Sequence, residues 1–353
     1  MKSILKTLLQ PKPPPFHACY SSTFESLRIG VVGVPFQKGQ RNIGVDKGPE
    51  VIRKGGLLKE LLKLGHNVKD YGDVTYEKVN STTSFGLAEN MRDLEEIAAC
   101  NSKVSDKVLE VLKSGSKVIT LGGDHSVVVG SVDGHIREKK DIALLYIDAH
   151  TDLNTAHTTE TGNVHGMTVA LLVKELEEYW PYLPGMDWQK PVLSVNNIAF
   201  IALRSVDSFE RLMLDKFNIN AFGMQDVDKY GISKVTEMAL NKIDPDGTKS
   251  LHVSFDIDCL DALEAPSTGV SVRGGLTLRE AISILEIVHL TKRLNAIDMV
   301  EVNPLIGTEM DVKKTVEAAV CVLMAAFGSS RLGNNVRHVK DIPGFYTSFL
   351  KVQ

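Results

Sequence analysis

Cysteine is scarce in this chain, and what there is lies scattered. The four residues Cys19, Cys100, Cys259 and Cys321 form no C-x-x-C pair in 353 residues. A disulfide framework is therefore not expected, and the spacing points to a reducing compartment. Long apolar runs are missing too: none approaches the roughly 18 residues of a membrane span. Forty Lys and Arg stand against 44 Asp and Glu, for a formal net charge of −4 with no basic block. That pattern argues against a nucleic-acid partner. No G-x-G-x-x-G follows a strand, and "GQRNIG" lacks the Lys-Ser/Thr of a phosphate loop, so dinucleotide and P-loop chemistry are disfavoured. What remains is an ordinary globular composition, 43% hydrophobic and 24% charged, with no sign of a membrane partner.

Acidic residues are absent from the start of the chain. "MKSILKTLLQPKPPPFHACYSSTF" carries Lys2, Lys6 and Lys12 but no acid before Glu25. Ile4, Leu5, Leu8 and Leu9 share one helical face. Residues 1–24 are expected to be a mitochondrial transit peptide, although the stretch has no Arg; the alternative is a disordered leader on a cytoplasmic protein.

From Leu27 onward, short β-branched runs alternate with helical patterns. "RIGVVGV", "NVKDYG", "KVITL", "IALLYID", "IAFIAL", "INAF", "LHVSFD" and "AIDMVEV" read as strands. A single helix is expected from Pro49 through "PEVIRKGGLLKELLKLG", with others near residues 85–114, Leu276–Leu290 and Val312–Phe327. This rhythm predicts an α/β fold, a mostly parallel sheet with helices on both faces. No linker or repeat interrupts it, so residues 25–334 are expected to form one domain, followed by a tail over 335–353. In such sheets ligands sit beyond the carboxyl ends of the strands.

Three of those ends carry concentrated chemistry. "VITLGGDHS" ends in Asp124 and His125, "LLYIDAHTD" in Asp148, His150 and Asp152, and "HVSFDIDCLD" in Asp256, Asp258 and Asp261. In extended chain, alternate residues face one side, so Asp148, His150 and Asp152 are expected to converge, as are Asp256 and Asp258. So many carboxylates at the end of a buried sheet need a counter-charge. Divalent cations supply it. The oxygen-rich donor set with two imidazoles favours a pair of Mn²⁺ ions over a single zinc.

Taken together, "GGDHS", "DAHTD", "TGNVHG", "SFDID" and "EVNP" resemble the ureohydrolase superfamily, and within it the arginase family, over about Leu27–Asn334. The resemblance implies a single domain around an eight-stranded, mostly parallel sheet, a three-layer α/β/α arrangement with two Mn²⁺ ions per subunit. One ion falls to His125, Asp148, Asp152 and Asp256. The other falls to His150, Asp148, Asp256 and Asp258, with Asp148 and Asp256 bridging. Asp124 and Asp261 are left to capping and turn roles. A hydroxide bridging the two ions would attack the guanidinium carbon. His165 would donate or shuttle the proton, and Glu301 would pair with the guanidinium. Asn154, Thr161 and Asn163 match loops that read an α-carboxylate, and Asp207 with Glu210 match those that read an α-ammonium. The implied reaction is L-arginine to L-ornithine and urea, carried out by a homotrimer. The alternatives are an agmatinase-like or other guanidino hydrolase, and a metal-binding relative with weak or no activity.

Four positions depart from the family pattern. Thr161 stands for a Ser, Ser205 for an Asp, Val270 for a Thr, and Cys259 for a Gly. Ser205 is expected to weaken hold on the ammonium end, Val270 to loosen Glu301, and Cys259 to crowd the second ion.

Overall fold

Arg28–Val34 opens the sheet as β1, and every residue after Arg28 is buried. β2 (Asn67–Asp73) is largely exposed and forms one edge. β3 (Lys117–Gly122), β4 (Ile142–Ile147) and β5 (Ile198–Leu203) are almost wholly buried. β6 (Asn220–Gly223) forms the other edge, while β7 (Ser250–Asp256) and β8 (Leu294–Val300) are again buried. A strand reads as a continuous apolar run when both its faces are covered, and these strands are covered on both. The computed structural model of the chain describes residues 25–77 and 90–334, and Leu27–Asn334 form one compact unit.

All eight strands are parallel, in the order β2-β1-β3-β8-β7-β4-β5-β6. The two strands latest in the chain therefore lie at the centre, between β3 and β4. Among the described residues the helices are α1 (Gly48–Lys54), α2 (Leu57–Leu64), α3 (Leu94–Lys113), α4 (Val128–Glu138), α5 (Thr168–Leu172), α6 (Ser208–Phe217), α7 (Met224–Tyr230), α8 (Ile232–Ile243), α9 (Leu278–Leu290) and α10 (Glu309–Ala326). Residues of α1, α2 and α7–α10 join one apolar core, and residues of α3–α6 join a second. The two cores take opposite faces of the sheet, as alternation along β3 shows: Ile119 and Leu121 enter the first, Val118 the second.

The expected helix over Pro49–Gly65 is two helices. Gly55 and Gly56 separate them, and Gly56 sits at φ 96°, a conformation that breaks helical continuity and that glycine adopts without a Cβ penalty. The helix expected from about residue 85 begins at Leu94 among the described residues; 85–89 lie outside them, as do the leader and the tail. A second glycine serves the site. A Cβ on Gly123 would lie 1.7 Å from the carbonyl oxygen of Phe36, so only glycine lets the end of β3 pass beneath that segment.

Candidate functional site

β3, β8, β7 and β4 are neighbours, and their carboxyl ends deliver His125, Glu301, Asp256 with Asp258, and Asp148 with His150 and Asp152 to one cleft of about 210 Å³. The convergence is not that of extended chain. β4 stops at Ile147, and Asp148 Oδ1 accepts the His150 N–H at 2.7 Å. Asp256 Oδ1 likewise accepts the Asp258 N–H at 2.8 Å and caps a short 3₁₀ turn. Asp152 lies at φ 51° and Glu301 at φ 63°. Left-handed backbone at non-glycine residues costs energy and clusters at functional sites. Turns and local strain, rather than strand alternation, bring the carboxylates together.

Asp148 is the hub. Its Oδ2 lies 3.0 Å from His125 Nδ1, and its Oδ1 lies 3.3 Å from His150 Nδ1. His125 Nδ1 is also 3.1 Å from Asp256 Oδ2 and 3.3 Å from Asp152 Oδ2, while His150 Nδ1 is 3.1 Å from Asp258 Oδ2. Two compact groups follow, each fit to hold a metal ion: His125, Asp148 and Asp256, and Asp148, His150 and Asp258. Asp148 belongs to both; Asp152 stands just outside the first. His125 is oriented from behind, its Nε2 lying 2.8 Å from Ser254 Oγ. A second-nitrogen partner of this kind frees Nδ1 for a cation.

The electrostatics are those of crowded, buried acids. Burial and the Asp148 charge raise Asp152 to about 7, and burial with the same neighbour raises Asp258 to about 6. Burial, then Asp258 and Asp148, push Asp256 well up. Burial acts on Asp148 the same way, but the His125 and His150 contacts outweigh it and hold Asp148 below the usual range. Without a cation, part of this cluster stays protonated at neutral pH.

Beside it stands a second pair. Glu301 Oε1 accepts the His125 N–H at 2.9 Å and meets His165 Nδ1 at 3.0 Å. Burial opposes the imidazolium of His165, but the Glu301 contact and charge prevail and lift it to about 9. Val270 lines the cleft, yet the anticipated loosening of Glu301 is offset: two bonds hold Oε1 without any hydroxyl from that position. Cys259 does not crowd the cleft either. Its side chain is wholly buried in the first apolar core and is not among the residues that line the cleft.

The structure gathers Asn154, Asp207, Glu210 and Ser205 at the other end of the cleft. These groups already engage one another. Asn154 Nδ2 donates to Asp207 Oδ2 at 2.7 Å, and Asp207 Oδ1 caps α6 by accepting from Phe209 and Glu210 N–H. Glu210 is buried, accepting from the backbone of Asp207 and Leu153. Thr161 and Asn163 are not among the residues that line the cleft; Thr161 Oγ1 accepts the Asn163 N–H in a local turn. Asp124 and Asp261 take the turn roles expected of them: Asp124 accepts from Gly39, Ser126 N–H and Ser126 Oγ–H, and Asp261 from Leu263, Gly274 and Gly275.

Sequence reasoning missed Ser254, Tyr146 and Arg204. Ser254 and Tyr146 precede Asp256 and Asp148 by two residues, so the alternation that found the ligands, extended backward, finds them too. Arg204 carries no such signal. Among the described residues its guanidinium donates to backbone carbonyls, those of Ala202, Asp258, Cys259, Leu260 and Val272.

Comparison with known proteins agrees with this geometry. Arginase-1 of Sus scrofa is 43% identical over 314 residues, covering 89% of this chain and 97% of that protein. Arginase-2, mitochondrial, of Rattus norvegicus is 40% identical over 312 residues, 88% of this chain and 87% of that one. The crystal structure of arginase from Bacillus caldovelox superposes with a TM-score of 0.78 at 30% identity, covering 86% of this chain and 99% of that chain. The Arginase family model matches residues 27–328, and with that match across the whole sheet and every strand end of the cleft, this chain belongs to the arginase family.

Proposed function

We propose that the chain hydrolyses the guanidinium of L-arginine to L-ornithine and urea, using two Mn²⁺ ions held by His125, Asp148, Asp152 and Asp256 and by His150, Asp148, Asp256 and Asp258. The observation that carries the reading is the pair of metal-fit groups sharing Asp148 next to the His165–Glu301 pair. The donor set suits such ions: carboxylate oxygens dominate, two imidazoles favour a transition metal over Mg²⁺, and no thiol takes part. Bound there, divalent cations would neutralise the acids and supply the acidification of a water nucleophile.

The protein's own groups do the rest. Glu301 keeps Oε1 on His125 N–H and His165, which leaves Oε2 for a guanidinium N–H. A guanidinium paired there would have its carbon between Glu301 and the acid cluster. Against burial, the Glu301 contact raises His165 to about 9, which suits it to give a proton to the leaving amine. Asp207, bridged to Asn154, and Glu210 present negative charge to an α-ammonium, while Asn154 meets the α-carboxylate. Thr161 and Asn163 would have to move to contribute.

The deciding measurement is urea release from L-arginine, agmatine and guanidinobutyrate after Mn²⁺ loading. Fastest release from L-arginine is expected; equal or faster release from agmatine overturns the substrate assignment. No release from any of them, with two ions bound, leaves a metal-binding protein without this activity. A homotrimer in sedimentation is the assembly the family suggests. The acid-free leader and the similarity to a mitochondrial arginase-2 support import into mitochondria. A mature N-terminus beyond Ser21 is expected, and an intact Met1 argues for the cytoplasm.

A further inference from the structure

Tyr146 is the bulkiest of the fully buried side chains, and its hydroxyl points at the acid cluster. Its ring lies flat against His125, centroids 4.7 Å apart and planes 8° from parallel. The hydroxyl is 2.6 Å from Asp152 Oδ2, 2.8 Å from Thr168 Oγ1 and 3.2 Å from His125 Nδ1. Thr168 Oγ1 is itself 3.3 Å from Asp152 Oδ2. The phenol donates to Asp152 Oδ2, and the Thr168 hydroxyl has both Oδ2 and the phenol oxygen within reach; a carboxylate ionised beside a cation only accepts. All three residues are buried, where such bonds are strong because water does not compete.

Asp152 needs this support. Its backbone is left-handed, and of the acids in the cluster it alone falls outside the compact groups. We infer that Tyr146, backed by Thr168, is a positioning residue that holds the Asp152 carboxylate through Oδ2, the oxygen 3.3 Å from His125 Nδ1, in place for the ion of the first group, while the stacked ring sets the plane of His125. Among the described residues the second group has no hydroxyl contact of this kind: His150 lies against Asp148 and Asp258, and Asp258 accepts the Ala149 N–H. The two ions should therefore respond differently to loss of one hydroxyl. This inference rests on the two-ion reading.

The test is Y146F, which keeps the ring and its stacking and removes only the hydroxyl. Metal-free wild type and variant are titrated with Mn²⁺ by calorimetry, with electron paramagnetic resonance reporting whether ions are paired. Wild type is expected to take two ions and show an exchange-coupled pair. In Y146F one of the two affinities should fall roughly 10–100-fold, the usual effect of losing an outer partner of a ligand, while the other stays. At intermediate Mn²⁺ the spectrum should be that of an isolated ion. T168S should behave as wild type, and T168V should shift in the direction of Y146F. Wild-type affinities for both ions in Y146F overturn the inference while leaving the two-ion reading intact. A wild type that takes up no Mn²⁺ overturns both. If Y146F fails to fold, T168V carries the test, and unchanged affinities there overturn the inference equally.

Discussion

The two ends of the cleft are built differently. At the metal end, His125, Asp148, Asp256 and Asp258 are almost wholly buried and project from the ends of strands locked at the centre of the sheet. At the other end, Asn154, Ser205 and Asp207 are carried on loops and a helix start and are at least partly exposed; Asn154 and Asp207 bond each other, and the rest of their bonds, like that of Ser205, go to neighbouring loop and helix-start groups. Rigid elements fix geometry, while loops adapt it. The chemistry should therefore tolerate almost nothing at the first end and a good deal at the second.

The largest expected effect comes from Asp256→Ala, which removes a group shared by both proposed ion sites. Metal analysis should find most Mn²⁺ gone, and urea release should drop by more than the roughly 100-fold that loss of an outer partner costs. Two ions still bound would defeat the bridging role. Next is His165→Ala: the ions should stay, and turnover should fall on the order of 10²–10⁴-fold, the range of a lost general acid. Unchanged turnover would remove His165 from the mechanism.

A metal-free titration comes third. Asp152, raised from 3.8 to about 7, and His165, raised from 6.5 to about 9, both bind protons more tightly when folded. The folded state thus holds the extra proton, and stability is lost as pH rises, between 3.8 and 7 for Asp152 and between 6.5 and 9 for His165. The midpoint of thermal unfolding should fall across that span without metal and should flatten with Mn²⁺. A midpoint that climbs with pH in the metal-free protein would contradict the cluster electrostatics.

The loop end should yield smaller effects. Asp207→Ala removes a helix cap and should cost about 1 kcal/mol of stability along with a raised KM; Asp207→Asn keeps the cap and should show the KM change alone. Equal stability for the two variants would mean the cap contributes nothing. Val270→Thr should do least. Glu301 is already held twice, and the position is 42% exposed, so a stability change within about 0.5 kcal/mol and nearly unchanged turnover are expected. A large gain in turnover would show that Glu301 is underheld after all.

The same contrast explains what could be read from the chain beforehand. Central strands announce themselves because burial on both faces demands apolar runs, and their ends announce chemistry because charges there are conspicuous. "IAFIAL" and "RIGVVGV" match β5 and β1 to the residue. The turns that actually converge Asp148, His150 and Asp152 were not legible, since an Asx turn and an extended chain are spelled with the same residues. What Cys259 and Val270 do depends in the same way on where a side chain points, which loops decide. Arg204 was invisible because carbonyls leave no mark in a sequence.

One feature of the sheet governs when the site can exist at all. β7 and β8 lie between β3 and β4, and His125 N–H bonds a carboxylate 176 residues further on. As the ribosome releases the chain, His125, Asp148, His150 and Asp152 emerge long before Asp256, Asp258 and Glu301. Until the last strands slide into the gap, the early half offers two open strand edges and an incomplete ligand set. Such long-range closure is slow, and exposed edges invite misassembly during synthesis. Metal capture that needs Asp256 or Asp258 would then wait for the final third of the chain.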